Sequence, residues 1–210
     1  MCIIPPETAL VFFAASALLA LAPGPDNLFV LTLSALHGRK AGLLVTLGLC
    51  TGLIGHTVAV ALGIAALFQA SAIAFTMLKI AGACYLLYLA WGAFRASESQ
   101  MEAKPGVLPS GWQLYRRGIL MNLTNPKVSI FFLAFLPQFA DPARGSLTLQ
   151  LIVLGGIFML AALFVFSGIA ALAGALGSWL SRSSRAQITM NRVAGTLFVV
   201  LALKLAMTGR

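Results

Sequence analysis

Two ionisable residues stand inside long apolar stretches, and each comes directly after a proline. Asp26 follows a Gly-Pro pair and Lys127 follows an Asn-Pro pair. Proline in the first turn, preceded by Gly or Asn, is a helix-start signal, so each motif predicts a helix that breaks and begins again. The first turn of a helix has unpaired backbone N–H groups and the positive end of the dipole, an arrangement that binds anions.

Asp26 and Lys127 have opposite charges, and a charge at mid-bilayer is expensive unless it is neutralised or serves a transport route. We therefore expect the two side chains to pair. An ammonium-bearing substrate could displace Lys127 from Asp26 while its carboxylate meets Lys127 or a helix start, which describes an α-amino acid. Asp26 is also the candidate proton carrier, since a buried carboxyl group can bind a proton near neutral pH. A pair that only joins two parts of the protein is the alternative.

Three further polar residues are candidates for the same site. Asn122 and Asn125 share one helical face and could line a cavity, or they could cap and cross-link helices. His56 could contact substrate or satisfy a hydrogen bond between helices. Gly48, Gly52 and Gly55 form a small-residue stripe that predicts close helix packing, as do Ala170, Gly174 and Ser178.

The sequence that must position these residues is too apolar for a soluble protein. Hydrophobic residues make up 60% of the 210 residues and charged residues only 9%, against roughly 25% in soluble domains. An all-α integral membrane protein is therefore predicted. The net charge of +9 does not indicate nucleic acid as a partner, because the basic residues are scattered and form no basic face with interleaved aromatics.

Comparing each apolar run with the roughly 20 residues needed to cross a bilayer predicts six transmembrane helices in a single membrane domain. Repeat one covers about 8–94, a polar cytoplasmic loop covers 95–117, and repeat two covers about 118–208. The predicted spans are 8–36, two helices within 41–94 that turn near Gln69 and Ser71, then 118–139, 147–179 and 189–207, with helices 1 and 4 broken at the Pro motifs.

The two halves of the chain share landmarks in the same order. Residues 76–82 read almost the same as residues 189–195, and the Gly-Pro and Asn-Pro breaks open corresponding runs. Units of three helices must enter the membrane from opposite sides, because three is odd. The pattern predicts two inverted three-helix repeats, a plan typical of secondary transporters, with chance similarity among apolar helices as the alternative.

The basic residues predict the orientation in the membrane. Nine of them fall in the first, third and fifth connections, which lie on one side of a six-span protein, so that side is expected to be cytoplasmic and both termini outside. These residues are Arg39, Lys40, Arg95, Lys104, Arg116, Arg117, Arg182, Arg185 and Arg192.

Four motifs in this order, at 22–26, 38–42, 78–86 and 122–127, resemble the lysine-exporter family of LysE/RhtB type. The resemblance implies a multi-pass transporter of the bacterial inner membrane that exports amino acids or their derivatives by proton antiport. It implies an amino-acid substrate, protons and the lipid bilayer as partners, with a homodimer left open, and it calls for no cofactor. With the candidates above, the expected substrate-binding residues are Pro23, Gly24, Pro25, Asp26, His56, Asn122, Asn125, Pro126 and Lys127.

Two rival classes of transporter or carrier remain at this stage. A metal-cation exporter would need clustered His, Cys or carboxylate groups within the spans, where only Asp26 and His56 qualify. A membrane thiol-disulfide carrier would need facing cysteines, for which Cys50 with Cys84 is the sole candidate pair. The chain has neither a His-Glu-x-x-His nor a Gly-x-Ser-x-Gly motif, so we do not expect an enzyme.

Overall fold

The computed structural model describes residues 3–70, 72–95, 109–182 and 184–207, without the side chains of 64–72, 74–75 and 174–186. In this part of the chain the regular secondary structure is helical throughout. The α-helices are α1 Pro6–Leu21, α2 Pro25–His37, α3 Arg39–Ala70, α4 Ala72–Arg95, α5 Gly111–Leu123, α6 Pro126–Ile130, α7 Leu147–Arg182 and α8 Ser184–Met207.

Four of these helices, α3, α4, α7 and α8, are each long and apolar enough to cross a membrane. Two bent pairs complete the set. α1 and α2 meet at 63°, and α5 meets the segment Pro126–Phe139 at 50°. With each bent pair as one span, the protein has six spans of which the first and fourth are broken, which confirms the predicted all-α membrane fold.

The second half of the fourth span is irregular. After α6, a π-helical turn covers Phe131–Phe135 and a 3-10 turn covers Leu136–Phe139. Pro137 has no N–H to donate, so a regular α-helix is interrupted there. The segment is stabilised instead by burial of its own aromatic rings in the hydrophobic core. These rings belong to Phe131, Phe132 and Phe135.

Helix α5 begins earlier than the predicted start of span four at residue 118. Its N-terminus at Gly111 is closed by a capping box, in which the Ser110 hydroxyl accepts the N–H of Gln113 and the Gln113 side chain accepts the N–H of Ser110. Ser-x-x-Gln is a helix-start signal that hydropathy does not detect. The remainder of the predicted loop at 96–108 lies outside the described residues.

Two tight connections set the ends of α3. Gly38, between α2 and α3, has a φ of +83°, a left-handed conformation that glycine adopts without steric cost. At the other end α3 finishes at Ala70 and α4 starts at Ala72, which is the predicted position of the turn. Ser71 itself lies outside the described residues.

The glycine stripe of α3 packs directly against α5. A Cβ at Gly48 would meet the Tyr115 carbonyl group, and one at Gly52 would meet the Asn122 side chain. Glycine therefore lets the two helices approach at backbone distance, which confirms the predicted close packing of this stripe. In the second predicted stripe Ala170 is buried beside Gly42, whereas the side-chain surroundings of 174 and 178 are not described.

The middle helix of each half of the chain packs against the broken span of the other half. The middle helix of the first half, α3, packs against α5, and the middle helix of the second half, α7, packs against both α1 and α2. α3 also contacts α7, and α4 pairs with α8. Each middle helix thus covers the broken span of the other half, an arrangement compatible with the predicted inverted repeats.

Candidate functional site

A small cavity lies at the point where the two broken spans meet. Its polar wall consists of Asp26, Asn122 and Lys127, whose exposed fractions are only 1%, 1% and 6%. The space inside is about 10 Å³, enough for about one water molecule. The apolar wall comprises Leu19, Ala20, Leu53, Val128, Phe158, Ala162 and Phe166.

Lys127 joins the two halves of the chain. Its Nζ donates hydrogen bonds to the backbone carbonyl oxygens of Leu19 at 3.2 Å and Ala22 at 3.1 Å, at the C-terminal end of α1. A cation there satisfies carbonyl groups that have no partner within the helix and complements the negative end of the dipole. A Cβ at Gly24 would lie 3.1 Å from Nζ, so the glycine of the break leaves room for the ammonium group.

The expected direct contact between Asp26 and Lys127 is not present. No nitrogen–oxygen contact within 4.0 Å joins these two described side chains, although their charges interact across the cavity. The reason is that the ammonium group is held by the carbonyl groups of α1. An ammonium has three N–H donors, so two serve α1 and one is left for another partner.

Four buried side-chain atoms in the described part of the chain have no hydrogen-bond partner. They are Asp26 Oδ1, Asn27 Oδ1, Asn122 Oδ1 and Asn125 Nδ2. Leaving a buried polar group unpaired costs about 1–3 kcal/mol, so such a cluster marks a place where a ligand or water completes the bonding. The set has three acceptors, which suit a cationic group, and one donor, which suits an anionic group.

Asn125 lies between the cavity and a second, larger space. Its Oδ1 accepts the backbone N–H of Lys127 at 3.0 Å and so caps α6, while its Nδ2 interacts with the Asp26 carboxylate but forms no hydrogen bond of ordinary length. The larger space, here called the vestibule, has a volume of about 550 Å³. It is lined by Pro25, Phe29, Arg117, Leu120, Met121, Thr124, Asn125 and Pro126.

The predicted site residues therefore divide into groups. Asp26, Asn122 and Lys127 line the cavity, while Pro25, Asn125 and Pro126 line the vestibule. Gly24 lies against Lys127, and Pro23 belongs to the break but lines neither space.

His56 reaches the site only indirectly. Its Nε2 lies 3.2 Å from the carbonyl oxygen of Asn122, and its ring packs on Phe132 with the centroids 5.6 Å apart. Its side chain does not line the cavity, although it interacts electrostatically with Asp26. The contacts correspond to a hydrogen bond between helices, the structural alternative for this residue.

Sequence reasoning missed two residues. Asn27 donates from Nδ2 to the Ala20 carbonyl oxygen, which leaves its Oδ1 unpaired beside the break. Its position immediately after Asp26, at the start of an apolar run, was the available signal. Arg117 was counted only as a cytoplasmic charge, and nothing in the sequence shows that it faces the vestibule.

Comparison with known proteins identifies the family to which the chain belongs. The family of LysE type translocators matches residues 17–209, which is nearly the whole chain. The chain belongs to the LysE type translocator family. The predicted resemblance is thereby confirmed, and this translocator is a multi-pass membrane transporter.

Several curated proteins are similar to this LysE type translocator over most of their length. The homoserine/homoserine lactone efflux protein of Salmonella typhi is 34% identical over 195 residues, which is 93% of this chain and 94% of the relative. The leucine efflux protein of Enterobacter sp. (strain 638) is 30% identical over 200 residues, 90% of each chain. An uncharacterized membrane protein of Vibrio cholerae is 34% identical over 197 residues, 94% of this chain and 95% of the relative. No solved structure matches the chain.

The residues that the rival classes would use are dispersed in this LysE type translocator. Among the described residues, no group of three or more His, Cys, Asp or Glu side chains lies close enough together to hold a metal ion. Cys50 is buried in α3, Cys84 is exposed on α4, and both are free thiols. Cys2 lies outside the described residues.

Proposed function

We propose that this protein exports small amino acids or their derivatives across the bacterial inner membrane and binds them in the cavity between the two broken spans. The observation that carries the proposal is the pair of buried opposite charges in one cavity wall, Asp26 with an unpaired oxygen and Lys127 with an uncommitted N–H. A zwitterion supplies the complementary charge to each.

The binding mode follows from the unpaired atoms. An α-ammonium group donates three hydrogen bonds, and Asp26 Oδ1 and Asn122 Oδ1 are acceptors without a partner. The carboxylate accepts from the third N–H of Lys127 and from Asn125 Nδ2. Replacing unpaired groups by charge-assisted hydrogen bonds is worth more here than forming the same bonds in water, because the cavity wall is buried and largely apolar.

The apolar remainder of the wall favours an uncharged substrate side chain. Leu53, Phe158 and Phe166 offer contact area without a second countercharge, which Lys or Arg would need. The relatives named for homoserine and leucine efflux support the same class, since both substrates have uncharged side chains.

Export requires the cavity to expand, because about 10 Å³ is far too small for an amino acid. The two broken spans form opposite sides of the cavity, and each is covered by the middle helix of the other repeat. Rocking of one repeat against the other would therefore open the site alternately to each face of the membrane.

Proton antiport follows from the chemistry of Asp26. It is the only acidic residue in the cavity wall formed by the described residues. A proton and a substrate ammonium group compete for the same carboxylate, so protonation from outside would release the substrate and substrate binding from inside would release the proton. One site thus exchanges the two in opposite directions.

The test is transport by the purified protein in liposomes, with labelled homoserine, leucine and other amino acids under an imposed pH gradient. Asp26→Asn should reduce gradient-driven export by about 10- to 100-fold, the equivalent of one charge-assisted hydrogen bond. Asp141→Asn is the matched control, because Asp141 pairs with Arg144 in an exposed loop. Export by the Asp26 variant that still follows the pH gradient would remove Asp26 from coupling, and failure to carry any amino acid would refute the proposed substrate class.

A further inference from the structure

We infer that the vestibule is an entry site for carboxylate-bearing substrates, in which Arg117 binds the carboxylate before the substrate reaches the cavity. The inference rests on the proposed function and adds to it a second binding site and a residue that selects substrate. It requires a positive group in the vestibule, a further donor leading inward, and access from the side where substrate is taken up.

Arg117 supplies the positive group. It is the only charged residue among the described residues that line the vestibule, and no described acidic side chain pairs with it. A guanidinium presents several N–H donors in a planar fork that matches the two oxygens of a carboxylate. The space is open on one side and, at about 550 Å³, large enough to admit an amino acid.

Asn125 supplies the inward donor. Its side chain is 3% exposed and belongs to the vestibule wall, and its Nδ2 interacts with the Asp26 carboxylate without forming a hydrogen bond of ordinary length. The next two residues are Pro126 and Lys127, so the donors run from Arg117 through Asn125 to the ammonium group beside the cavity. A carboxylate that moves inward can therefore pass from one donor to the next.

The partition between the two spaces is thin. At each break the proline lies in the vestibule wall, while the residue after it lies in the cavity wall. This holds for Pro25 with Asp26 and for Pro126 with Lys127. A small rotation at the two breaks would therefore join the vestibule to the cavity.

Helix contacts place the vestibule on the basic side of the protein. A Cβ at Gly111 would meet Leu44, and residues further along α3 meet residues further along α5, so these helices run parallel from the same membrane face. Arg39 and Lys40 begin α3, and the positive-inside rule assigns that face to the cytoplasm. The vestibule lies between this face and the breaks, on the side from which an exporter takes up its substrate.

The test measures uptake into inverted membrane vesicles, whose outer face is the cytoplasmic one. Arg117→Gln should raise the KM for an amino acid at this face by about 10-fold, because one charge-assisted contact is lost, and Arg117→Lys should raise it less. The KM for the corresponding amino-acid amide, which lacks a carboxylate, should stay unchanged, as should the KM for the amino acid in right-side-out vesicles. Arg116→Gln is the matched control, since Arg116 is exposed on the same helix but lies outside the vestibule.

Four results would overturn this inference. The first is an equal change in KM for the amide, and the second is an equal change in the Arg116 variant. The third is loss of the Arg117 effect in liposomes that lack anionic lipid, which would show that the guanidinium binds a lipid headgroup. An Arg117→Gln protein with unchanged KM refutes the entry site alone, whereas a wild-type protein that carries no amino acid refutes the proposed function as well.

Discussion

At the scale of single residues, Lys127 has two tasks that compete for one ammonium group. Two hydrogen bonds tie it to the end of α1, more than a hundred positions away in the sequence. Its remaining N–H is the donor that we assign to substrate. A structural role and a binding role therefore predict different substrate dependence, which makes the two separable by experiment.

We expect Lys127→Met to raise the KM for an amino acid by at least about 10-fold at both membrane faces, because the charge-assisted bond to the carboxylate is lost. The KM for the amide should change less. Transport in vesicles of both orientations measures this, with the exposed Lys40→Met as the control. Equal losses for the amino acid and the amide would indicate that Lys127 only holds α1 in place.

At the scale of helices, the two broken spans are held in place by the unbroken helices α3 and α7 that pack against them. α3 approaches α5 through glycines, and the approach brings Asn122 into the cavity wall beside Gly52. The irregular half of the fourth span is held by its own buried rings, since Phe131 packs on Phe12 of α1 and Phe132 packs on Phe158 of α7. The geometry of the site is thus set by how closely neighbouring helices pack.

Gly48→Ala should lower the stability of the detergent-solubilised protein by about 1–3 kcal/mol, because its Cβ would collide with the Tyr115 carbonyl group of α5. Gly63→Ala in the same helix meets nothing within 4 Å and should be neutral or slightly stabilising. Thermal unfolding of both variants provides the comparison. Similar unfolding temperatures for the two would contradict the close α3–α5 contact.

At the scale of the whole molecule, the inverted plan fixes which ends share a membrane face. α2 ends, and α3 and α5 begin, at the same end of the protein, as the Gly42 contact with Ser34 and the Gly111 contact with Leu44 require. α4 and α8 run antiparallel, since Gly82 meets Leu205 and Gly195 meets Phe94, so α8 begins on the side to which α4 returns. The basic residues of these segments therefore collect at one face.

This arrangement predicts labelling by a membrane-impermeant maleimide in a variant without native cysteines. Ala143→Cys should react in intact cells, because the turn Pro142–Arg144 is exposed and the predicted orientation puts it on the outer side. Lys40→Cys should react only in inverted vesicles, since the positive-inside rule places it in the cytoplasm. Reaction of both cysteines from the same face would contradict the six-span topology.

The amino-acid sequence by itself determined the membrane class, the number of spans and the two breaks. These properties are local, since hydropathy follows from composition over about 20 residues and proline limits the backbone wherever it stands. Asp26 and Lys127 could be predicted as site residues for the same reason, because a charged residue within an apolar run is evident from the sequence alone.

Only the tertiary structure decided what these residues contact. Lys127 bonds to carbonyl groups of α1 instead of Asp26, Asn27 has an unpaired oxygen, and Arg117 lines the vestibule. Each of these facts depends on the relative placement of helices that are far apart in sequence. Hydrogen-bond partners and cavity walls are set by packing between helices, and residue type and spacing do not encode which distant backbone group will lie within 3 Å.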